Sequence, residues 1–417
     1  MAGSASAGWA PTRSAALDRL EAFVGRAGRS YAAERNYDDG PEQRSNVSGL
    51  SPWIRHRLVL EEEVLTRVLQ EHSAQAAEKF IQELCWRTYW KGWLEMRPQV
   101  WRDYRAAVTG LHAQLDEDVD LRARWQQATA GETGLECFDE WARELIETGY
   151  LHNHTRMWFA SIWVFTLRLP WELGADFFLR YLLDGDAASN TLSWRWVAGL
   201  QTPGKTYLAR ADNIARYTRG RFRPRGGLAE QAELQSGAPV PTPRPLETPV
   251  SPVAGRRTGL LLTDDDLRGD VPPVPRDALV GIAGFSGAAE RSPWPVSRYV
   301  LDFSSRALDD GLDRAAGRLG LEATRLDSRS LTDRVIAWCE RHELEQIVMP
   351  CVPVGVARDA LAPVEIALEE RGIRVAQFRR SWDDQLWPHA THGYFRFRKA
   401  IGSVVNRYHC RKGSGLQ

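Results

Sequence analysis

Apolar residues recur at three- and four-residue steps through the first half of the chain. The pattern is clearest over residues 15–24, 76–95 and 138–169, and alternating β-branched residues are scarce there. This spacing puts the apolar side chains on one face of a helix. We therefore predict that residues 9–222 form an all-helical domain.

The pattern changes twice beyond this region. Residues 223–256 are rich in Pro, Gly and Ser, which is typical of a linker or an extended arm. Short β-rich runs then alternate with helical segments, which predicts a doubly wound, Rossmann-like α/β domain with a mostly parallel sheet over residues 257–417. No GxGxxG sequence follows its first strand, so no dinucleotide site is expected there. The predicted strands are 259–263, 278–282, 298–303, 346–349 and 374–378, and the predicted helices are 305–319, 330–342 and 355–371.

Composition narrows the class of protein. The 417 residues carry a formal net charge of zero and contain no apolar run of the roughly 18–20 residues that a membrane span requires. The N-terminal residues lack the features of a signal peptide, so a cytoplasmic location is expected. The five cysteines form no CxxC pair, which argues against a metal or iron–sulfur site. Of 17 tryptophans, 13 precede residue 200, which fits either a large aromatic core or a domain that stacks on planar ligands.

Three segments put polar residues where an amphipathic helix is expected to be apolar. In the first, Glu83 is four residues from Arg87 and three from Trp86, so a carboxylate, a guanidinium and an indole share one helix face. A surface ion pair beside a core tryptophan has the same spacing. In the second, Asn153 and Arg156 precede a nearly continuous apolar run and therefore need buried partners.

The third segment is built around a glycine. Asp184 and Asp186 flank Gly185, and Asn190 and a Trp-x-Trp sequence follow. A hydrogen-bonded structural network is the alternative to a functional site here, as it is for the second segment.

These segments belong to five ordered motifs that resemble the FAD-binding domain of the DNA photolyase and cryptochrome family. The order of the motifs is the family's order, and the resemblance extends over residues 9–222. It implies a helical flavoprotein whose chromophore is FAD. The motifs are Tyr31-x-x-x-Arg35-Asn36, Ser48-Gly-Leu-Ser-Pro52, Glu83-Leu-Cys-Trp-Arg87, Gly149-Tyr-Leu-His-Asn153 with Arg156 and Met157, and Asp184-Gly-Asp186 with Asn190 and Trp194-x-Trp196.

The resemblance implies which residues hold FAD. Tyr31 and the turn 48–51 would line the phosphate and ribityl side, and Arg87 would be the fixed cation for the pyrophosphate. Arg156 and Asp184 would pair beneath the isoalloxazine. The complete set of expected FAD contacts is Tyr31, Ser48, Leu50, Ser51, Phe80, Glu83, Arg87, Asn153, Arg156, Asp184, Gly185, Asp186 and Asn190.

Two of these residues would act at the edge of the flavin ring. Asp186 would accept a hydrogen bond from the ring, and Asn190 would face the flavin N5. An Asn at that position is typical of photolyases and varies in cryptochromes, so it favours the reduced flavin of a repair enzyme. Trp171 and Trp194 match the two inner members of the family's electron-transfer relay of three tryptophans. No residue clearly matches the exposed third member, and Trp125 is the candidate that lies closest in sequence.

The resemblance also implies a substrate. It predicts damaged DNA as the partner and light-driven electron donation from reduced FAD to a cyclobutane pyrimidine dimer. Glu83 would hydrogen-bond the thymine carbonyl of the dimer radical anion. Asn153 and Met157 stand where (6-4) photolyases carry histidines, which favours the cyclobutane type. The expected catalytic residues are Glu83, Trp86, Asn153, Met157, Asn190 and Trp196.

Several positions depart from the family pattern. His154 stands where cyclobutane enzymes usually carry Arg, which would make it a weaker clamp at neutral pH. Val47 and Gly49 replace a Thr and an Arg of the phosphate turn. The arginine-dense run 216–225 would either contact DNA phosphates or anchor the linker.

The order of the two domains is also unusual. The family usually has an α/β antenna domain before the helical one. Here residues 260–268 resemble the antenna's opening strand with its Asp-Leu-Arg, and residues 387–398 resemble its last segment. The resemblance implies an antenna-like domain that follows the helical one, and no motif for a second chromophore is legible.

We therefore expect a DNA-repair photolyase, a lyase that binds FAD and damaged DNA. One alternative is a cryptochrome-like blue-light sensor without repair activity. Another is a flavoprotein that keeps the FAD cage and has lost the substrate pocket. Glu83, Trp86, Met157 and Trp196 favour repair, because a sensor needs none of them.

Overall fold

The computed structural model describes residues 9–410 apart from residues 203, 234, 236 and 271, and apart from the side chains of residues 409 and 410. A helical part comes first and is followed by a parallel β-sheet with helices on both faces. The predicted fold class is therefore confirmed. None of the described helices is long and apolar enough to cross a membrane.

Helices account for the regular structure of the described residues up to Tyr217. Their apolar faces meet in a core in which Trp53, Trp101, Trp158 and Trp163 are fully buried. The helices are α1 (Arg13–Val24), α2 (Arg29–Glu34), α3 (Ser51–Arg55), α4 (Glu61–Glu71), α5 (Glu78–Glu95), α6 (Gln99–Glu117), α7 (Val119–Ala130), α8 (Glu136–Thr148), α9 (Asn153–Ser161), α10 (Trp171–Tyr181), α11 (Ala187–Val197) and α12 (Ala211–Tyr217).

The segment 138–169, whose pattern is continuous in the sequence, is divided in the structure. Helix α8 ends where Gly149 adopts a left-handed conformation with φ of +68°. His152 then caps α9, because its side chain accepts a hydrogen bond from the backbone N–H of His154. The break puts Asn153 at the start of a new helix rather than in the middle of one.

The described strands form a five-stranded parallel sheet in the order β3-β2-β1-β4-β5. The central strands β1 and β4 are buried along their whole length, as expected for a sheet covered on both faces. Helices α14 and α15 pack on one face, and α13 lies between the other face and the helical part. The bounds are β1 (Thr258–Thr263), β2 (Leu279–Phe285), α13 (Arg298–Leu319), β3 (Ala323–Arg325), α14 (Leu331–Arg341), β4 (Gln346–Pro350), α15 (Val356–Glu369) and β5 (Arg374–Phe378).

The predicted strand at residues 298–303 is wrong. These residues form the first turns of α13, and Ser297 caps the helix by accepting a hydrogen bond from the Tyr299 backbone N–H. Val300 and Phe303 are buried three residues apart, which is the spacing of a helix face. The outer strand is instead β3, a three-residue strand whose partial exposure leaves no clear sequence pattern.

The described residues of 223–256 form no helix or strand. This arm crosses the C-terminal end of α5, where Arg97 Nε donates to the Pro241 carbonyl at 2.9 Å and the Arg244 N–H donates to the Met96 carbonyl at 2.9 Å. Two further helices, α16 (Ser381–Leu386) and α17 (Tyr394–Cys410), follow the sheet. Both return to the helical part and pack on α5.

Buried ion pairs join the helical part to the sheet. Arg57, which precedes α4, donates to Asp266 at 3.1 Å and to both oxygens of Asp383 at 2.8 and 2.6 Å. Asp266 also accepts from Arg380 at 2.5 and 2.6 Å. Burial alone would raise the pKa of Asp266, but Arg380 and Arg57 hold it well below its usual range. The two parts therefore share one buried charge cluster.

We predict that Asp266→Asn lowers the free energy of unfolding by about 3–5 kcal/mol, because Arg57 and Arg380 stay buried with a charged partner removed. A carboxyl whose pKa is depressed in the folded state stabilises at neutral pH, and that contribution is lost as the pH falls. Denaturant titrations between acid and neutral pH should therefore show a smaller pH dependence for the variant. The control is Asp309→Asn, because the Asp309–Arg325 pair (2.9 Å) is nearly half exposed and should contribute less than about 1 kcal/mol. Equal losses in the two variants would contradict the cluster's role.

Candidate functional site

The loop between α10 and α11 carries the first buried ion pair of the site. Asp184 accepts two hydrogen bonds from Arg156 of α9, at 3.0 and 2.9 Å, and a further one from the Ser51 hydroxyl. Burial alone would raise the pKa of Asp184, but Arg156 and Arg87 hold it below its usual range. The carboxylate is therefore ionised and fixed in orientation by a bidentate pair.

The same loop carries a second ionised carboxylate. Asp186 begins α11 by accepting a hydrogen bond from the Ser189 backbone N–H at 2.8 Å, and it pairs with Arg87 of α5. Arg87 also donates to the Asp184 carbonyl at 3.3 Å, and Arg55 Nε donates to the Gly185 carbonyl at 3.1 Å. The loop thus collects cations from three helices of the helical part.

The turn 48–51 lies at the start of α3. Gly49 has φ of +63°, and Arg19 of α1 wraps the turn by donating to the Ser48 carbonyl at 2.6 Å and to the Val47 carbonyl at 3.2 Å. A Cβ at Gly49 would lie 3.1 Å from the Arg19 guanidinium. The cation missing from the turn's own sequence is therefore supplied by another helix.

Two guanidinium groups and one indole lie close to the ring of Tyr150. The Arg44 guanidinium is 4.6 Å from the centre of the Tyr150 ring, and the Arg156 guanidinium is 5.3 Å from it. Trp9 stacks on Tyr150 with ring centres 5.2 Å apart. The Arg44 Nε is buried and has no hydrogen-bond partner among the described residues. Sequence reasoning missed Arg19 and Arg44, because their partners are remote in sequence. It included Tyr150 in a motif but assigned no contact to it.

Three further expected FAD contacts, Tyr31, Leu50 and Asn190, are buried. Tyr31 lies edge-on to Phe80 with ring centres 5.2 Å apart, and Leu50 is fully buried. Asn190 is buried and its amide Nδ2 donates to the Ala175 carbonyl at 2.7 Å. These residues are held by packing and by the backbone of α10.

Glu83 and Trp86 lie on the half-exposed face of α5. Glu83 lies 3.7 Å from Arg35, and burial raises the pKa of its carboxyl. The Trp86 ring stacks on Tyr394 of α17, with ring centres 3.6 Å apart and planes 8° apart. Tyr394 also donates its hydroxyl to the Gln82 carbonyl at 2.6 Å. No sequence signal links Tyr394 to this face, because it is distant in the chain.

Helix α9 presents Asn153 to solvent and leaves Met157 half-buried, whereas His154 between them is fixed. The ring of His154 stacks on Trp158, its Nδ1 donates to the Asn36 carbonyl at 3.0 Å, and its Nε2 accepts from the Tyr207 hydroxyl at 3.2 Å. Burial lowers the pKa of His154, so the ring is neutral at pH 7 and is no charged clamp.

Trp196 is half-buried on α11 and stacks on Tyr207, with ring centres 5.8 Å apart. Helix α11 packs against α9, which carries Asn153 and Met157. The part that Trp196, Asn153 and Met157 play in a substrate pocket stays a prediction.

The two residues expected for electron transfer each contact other aromatic rings. Trp194 is buried against Phe178, with ring centres 5.0 Å apart. The Trp171 ring centre is 5.7 Å from that of Tyr104, which is 5.4 Å from that of Trp101. Trp101 Nε1 donates to Asp359 of α15 at 2.8 Å. Trp125 instead packs on Trp294, with ring centres 5.3 Å apart. The rings that contact Trp171 therefore lead to Trp101 and not to Trp125.

Part of the arginine-dense run is engaged within the protein. Arg219 pairs with Glu34 at 2.6 Å and with Asp39 at 2.7 Å, and Arg221 pairs with Asp38 at 2.7 Å. These two arginines anchor the segment after α12 to the last residue of α2 and to the loop that follows it.

The helical half of the chain matches known proteins in sequence. Residues 80–222 match the family model described as the FAD binding domain of DNA photolyase. Over these residues the chain is similar to the FAD-binding domain of the photolyase family. It is 33% identical over 218 residues to the deoxyribodipyrimidine photo-lyase of Streptomyces griseus, covering 49% of this chain and 44% of that protein. It is 31% identical over 194 residues to the one of Alkalihalophilus pseudofirmus, covering 46% and 39%.

Solved structures of the family are also similar. A class III photolyase from Agrobacterium tumefaciens matches with 25% identity and a TM-score of 0.42, covering 51% of this chain and 43% of that chain. A Synechocystis cryptochrome matches with 23% identity and a TM-score of 0.42, covering 50% and 43%. The chain thus spans less than half the length of the curated relatives it matches.

The donor set of the site fits the FAD that this photolyase family model describes. Arg87 is the cation expected at the pyrophosphate, and it meets the Arg156–Asp184 pair expected beneath the isoalloxazine at one loop, beside the Ser51 hydroxyl. The unpartnered, buried Arg44 Nε offers a further donor. The residues that would hold FAD are therefore present as a charged, largely buried set.

We predict that Asp184→Asn lowers both the stability and the flavin content of the purified protein, because Arg156 loses its charged partner in a buried site. The expected loss in the free energy of unfolding is about 3–5 kcal/mol. The ratio of flavin to protein absorbance measures the second effect. The control is Asp212→Asn, whose carboxylate pairs with Arg210 at 2.8 Å on the surface. A flavin content equal to that of the control would contradict the assignment of Asp184.

Proposed function

We propose that this protein is a DNA photolyase that binds FAD and uses blue light to split cyclobutane pyrimidine dimers in damaged DNA in the cytoplasm. Helix α5 carries the proposal. Glu83 and Trp86 lie on its half-exposed face, while Arg87 of the same helix is bound into the aspartate loop at residues 184–186. One helix therefore joins the residues expected at the lesion to those expected at the cofactor.

The side chains on α5 suit this chemistry. Reduced FAD, when bound, supplies the electron that enters the dimer and returns after the ring splits. Burial raises the pKa of the Glu83 carboxyl, and Arg35 beside it acts in the opposite direction. When this carboxyl is protonated, it can donate a hydrogen bond to the thymine carbonyl. Tyr394 covers one face of Trp86 and leaves the rest of the half-exposed indole to stack on the lesion.

The other pocket residues hold the lesion. Asn153, Met157 and Trp196 line the pocket and exclude water from it. His154 supports them as a neutral ring fixed by hydrogen bonds at both nitrogens. The Asn190 amide donates to the Ala175 carbonyl, which fixes its orientation, and its oxygen would be available to the flavin ring.

We expect illuminated wild-type protein to split the dimer in an oligonucleotide that carries a single thymine dimer. Glu83→Ala should lower the number of dimers split per absorbed photon about ten- to a hundredfold, because a hydrogen bond to a charged group contributes about 1.5–3 kcal/mol. Repair is measured as the increase in absorbance when the dimer splits into two thymines. The control is Glu140→Ala, which removes an exposed carboxylate that pairs with Arg143 at 2.6 Å. An unchanged yield in Glu83→Ala would refute its catalytic role, and a wild type that splits no dimer would refute the proposal.

The ring series from Trp171 supports a second candidate function, blue-light sensing of the cryptochrome type. In this function light would move an electron from Trp101 towards FAD through the contacting rings of Tyr104 and Trp171. The oxidised Trp101 would then pass its Nε1 proton to Asp359, whose pKa burial raises. Asp359 lies on α15, so this step changes the charge between the two parts of the molecule.

For the sensor, Trp101→Phe should slow the light-driven reduction of bound flavin, because Phe has no N–H to donate to Asp359. Trp125→Phe should leave the rate unchanged, since Trp125 packs on Trp294. Bleaching of the flavin absorbance under blue light with an external reductant measures both rates. Slowing in Trp125→Phe alone would refute the route through Trp101.

A further inference from the structure

Helix α17 has one buried face and one face without a protein neighbour among the described residues. Tyr394, Phe397, Ile401 and Val404 are buried at helical spacing on the side that packs against α4 and α5. Phe395 points away from them and is 80% exposed. A single exposed apolar side chain is ordinary on a protein surface, so the residues around Phe395 decide what it indicates.

This outer face is strongly basic. Residues 385–410 contain Arg396, Arg398, Lys399 and Arg407 and no Asp or Glu, although the whole chain has a net charge of zero. Arg396, Arg398 and Lys399 are exposed, and the Arg398 guanidinium lies 5.8 Å from the centre of the Phe395 ring. An aromatic ring is thus surrounded by cations within one turn of helix, which suits a polyanion that also has planar groups.

The basic face borders the candidate substrate site. Tyr394, next to Phe395 in the chain, stacks on Trp86 and bonds to the Gln82 carbonyl. The Tyr89 hydroxyl of α5 donates to the His392 carbonyl at 2.9 Å, just before α17 begins. The start of α17 is therefore fixed against the helix that carries Glu83 and Trp86.

We propose that the outer face of α17 binds the DNA duplex beside the flipped-out lesion. Phe395 inserts into the gap that the extruded nucleotides leave in the base stack, as apolar wedges do in other DNA-bending proteins. Arg398 and Lys399 bind the neighbouring phosphates. This inference rests on the proposed function and names the surface through which damaged DNA is held.

The two kinds of side chain predict two different effects on binding. A wedge can pack between bases only when nucleotides leave the stack, so Phe395 should matter for damaged DNA and little for intact DNA. Binding to phosphates is independent of damage and releases counterions, so Arg398 and Lys399 should matter for both duplexes and set the salt dependence.

The test uses the full-length, flavin-containing protein and fluorescein-labelled duplexes that differ only in one thymine dimer. Fluorescence anisotropy gives the Kd of each duplex over a range of salt concentrations. The variants are Phe395→Ser and the double variant R398Q/K399Q. The matched controls are Ile366→Ser, which removes a side chain that is 61% exposed on α15, and R334Q/R341Q, which removes two exposed cations from α14. Flavin content and the midpoint of thermal unfolding show that each variant is folded.

Phe395→Ser should weaken binding of the damaged duplex about tenfold and leave the intact duplex nearly unchanged. R398Q/K399Q should weaken both and reduce the slope of log affinity against log salt by about 0.9 for each phosphate that is no longer neutralised. The controls should match wild type. If wild type prefers damaged DNA and both α17 variants behave like the controls, the α17 surface is refuted and the proposed function stands.

Other outcomes separate the two proposals. If wild type does not distinguish damaged from intact DNA while R398Q/K399Q still lowers affinity and salt slope, the repair function fails and α17 remains a DNA-binding surface. If wild type binds neither duplex, or if R398Q/K399Q affects only binding to phosphatidylserine vesicles, the α17 proposal is overturned.

Discussion

The ionised carboxylates of Asp184 and Asp186 are the constraint on which the candidate site depends. They are buried and separated by one glycine, so each needs a cation from elsewhere in the fold. Arg156 of α9 and Arg87 of α5 meet this need. Because neither pair can open without leaving a buried charge uncompensated, α5, α9 and the start of α11 are fixed relative to one another.

The same loop connects the site to the sheet. Arg55 donates to the Gly185 carbonyl at 3.1 Å, pairs with Asp265 at 3.0 Å and donates to the Asp264 carbonyl at 2.5 Å. Asp264 and Asp265 directly follow β1, at the edge of the sheet where the crossover direction reverses between β1 and β4. These contacts are made by buried side chains, so they do not depend on which part comes first in the chain. A helical part followed by an α/β part can therefore form the same kind of contact as the reverse order.

Local patterns in the sequence predict most of the fold, because they report burial. The strand at residues 374–378 and the helix at 330–342 are found within a residue or two of their predicted ends. The pattern fails where a cap decides the structure, as Ser297 does for α13 and Gly149 does after α8. The sequence motifs predict the ion pair between Arg156 and Asp184, and the structure contains it. They do not give Arg19 at the phosphate turn or Tyr394 on Trp86, because those partners are remote in sequence and are brought together only by tertiary packing.

The most direct test of the proposed cofactor site is a crystal structure of the protein purified with its flavin. We predict FAD bounded by the turn at residues 48–51, Arg87 and the Arg156–Asp184 pair, with Glu83 and Trp86 on the open side. A flavin bound outside this ring of residues would contradict the central claim. So would a protein that purifies and crystallises from an FAD-containing solution with no flavin at all.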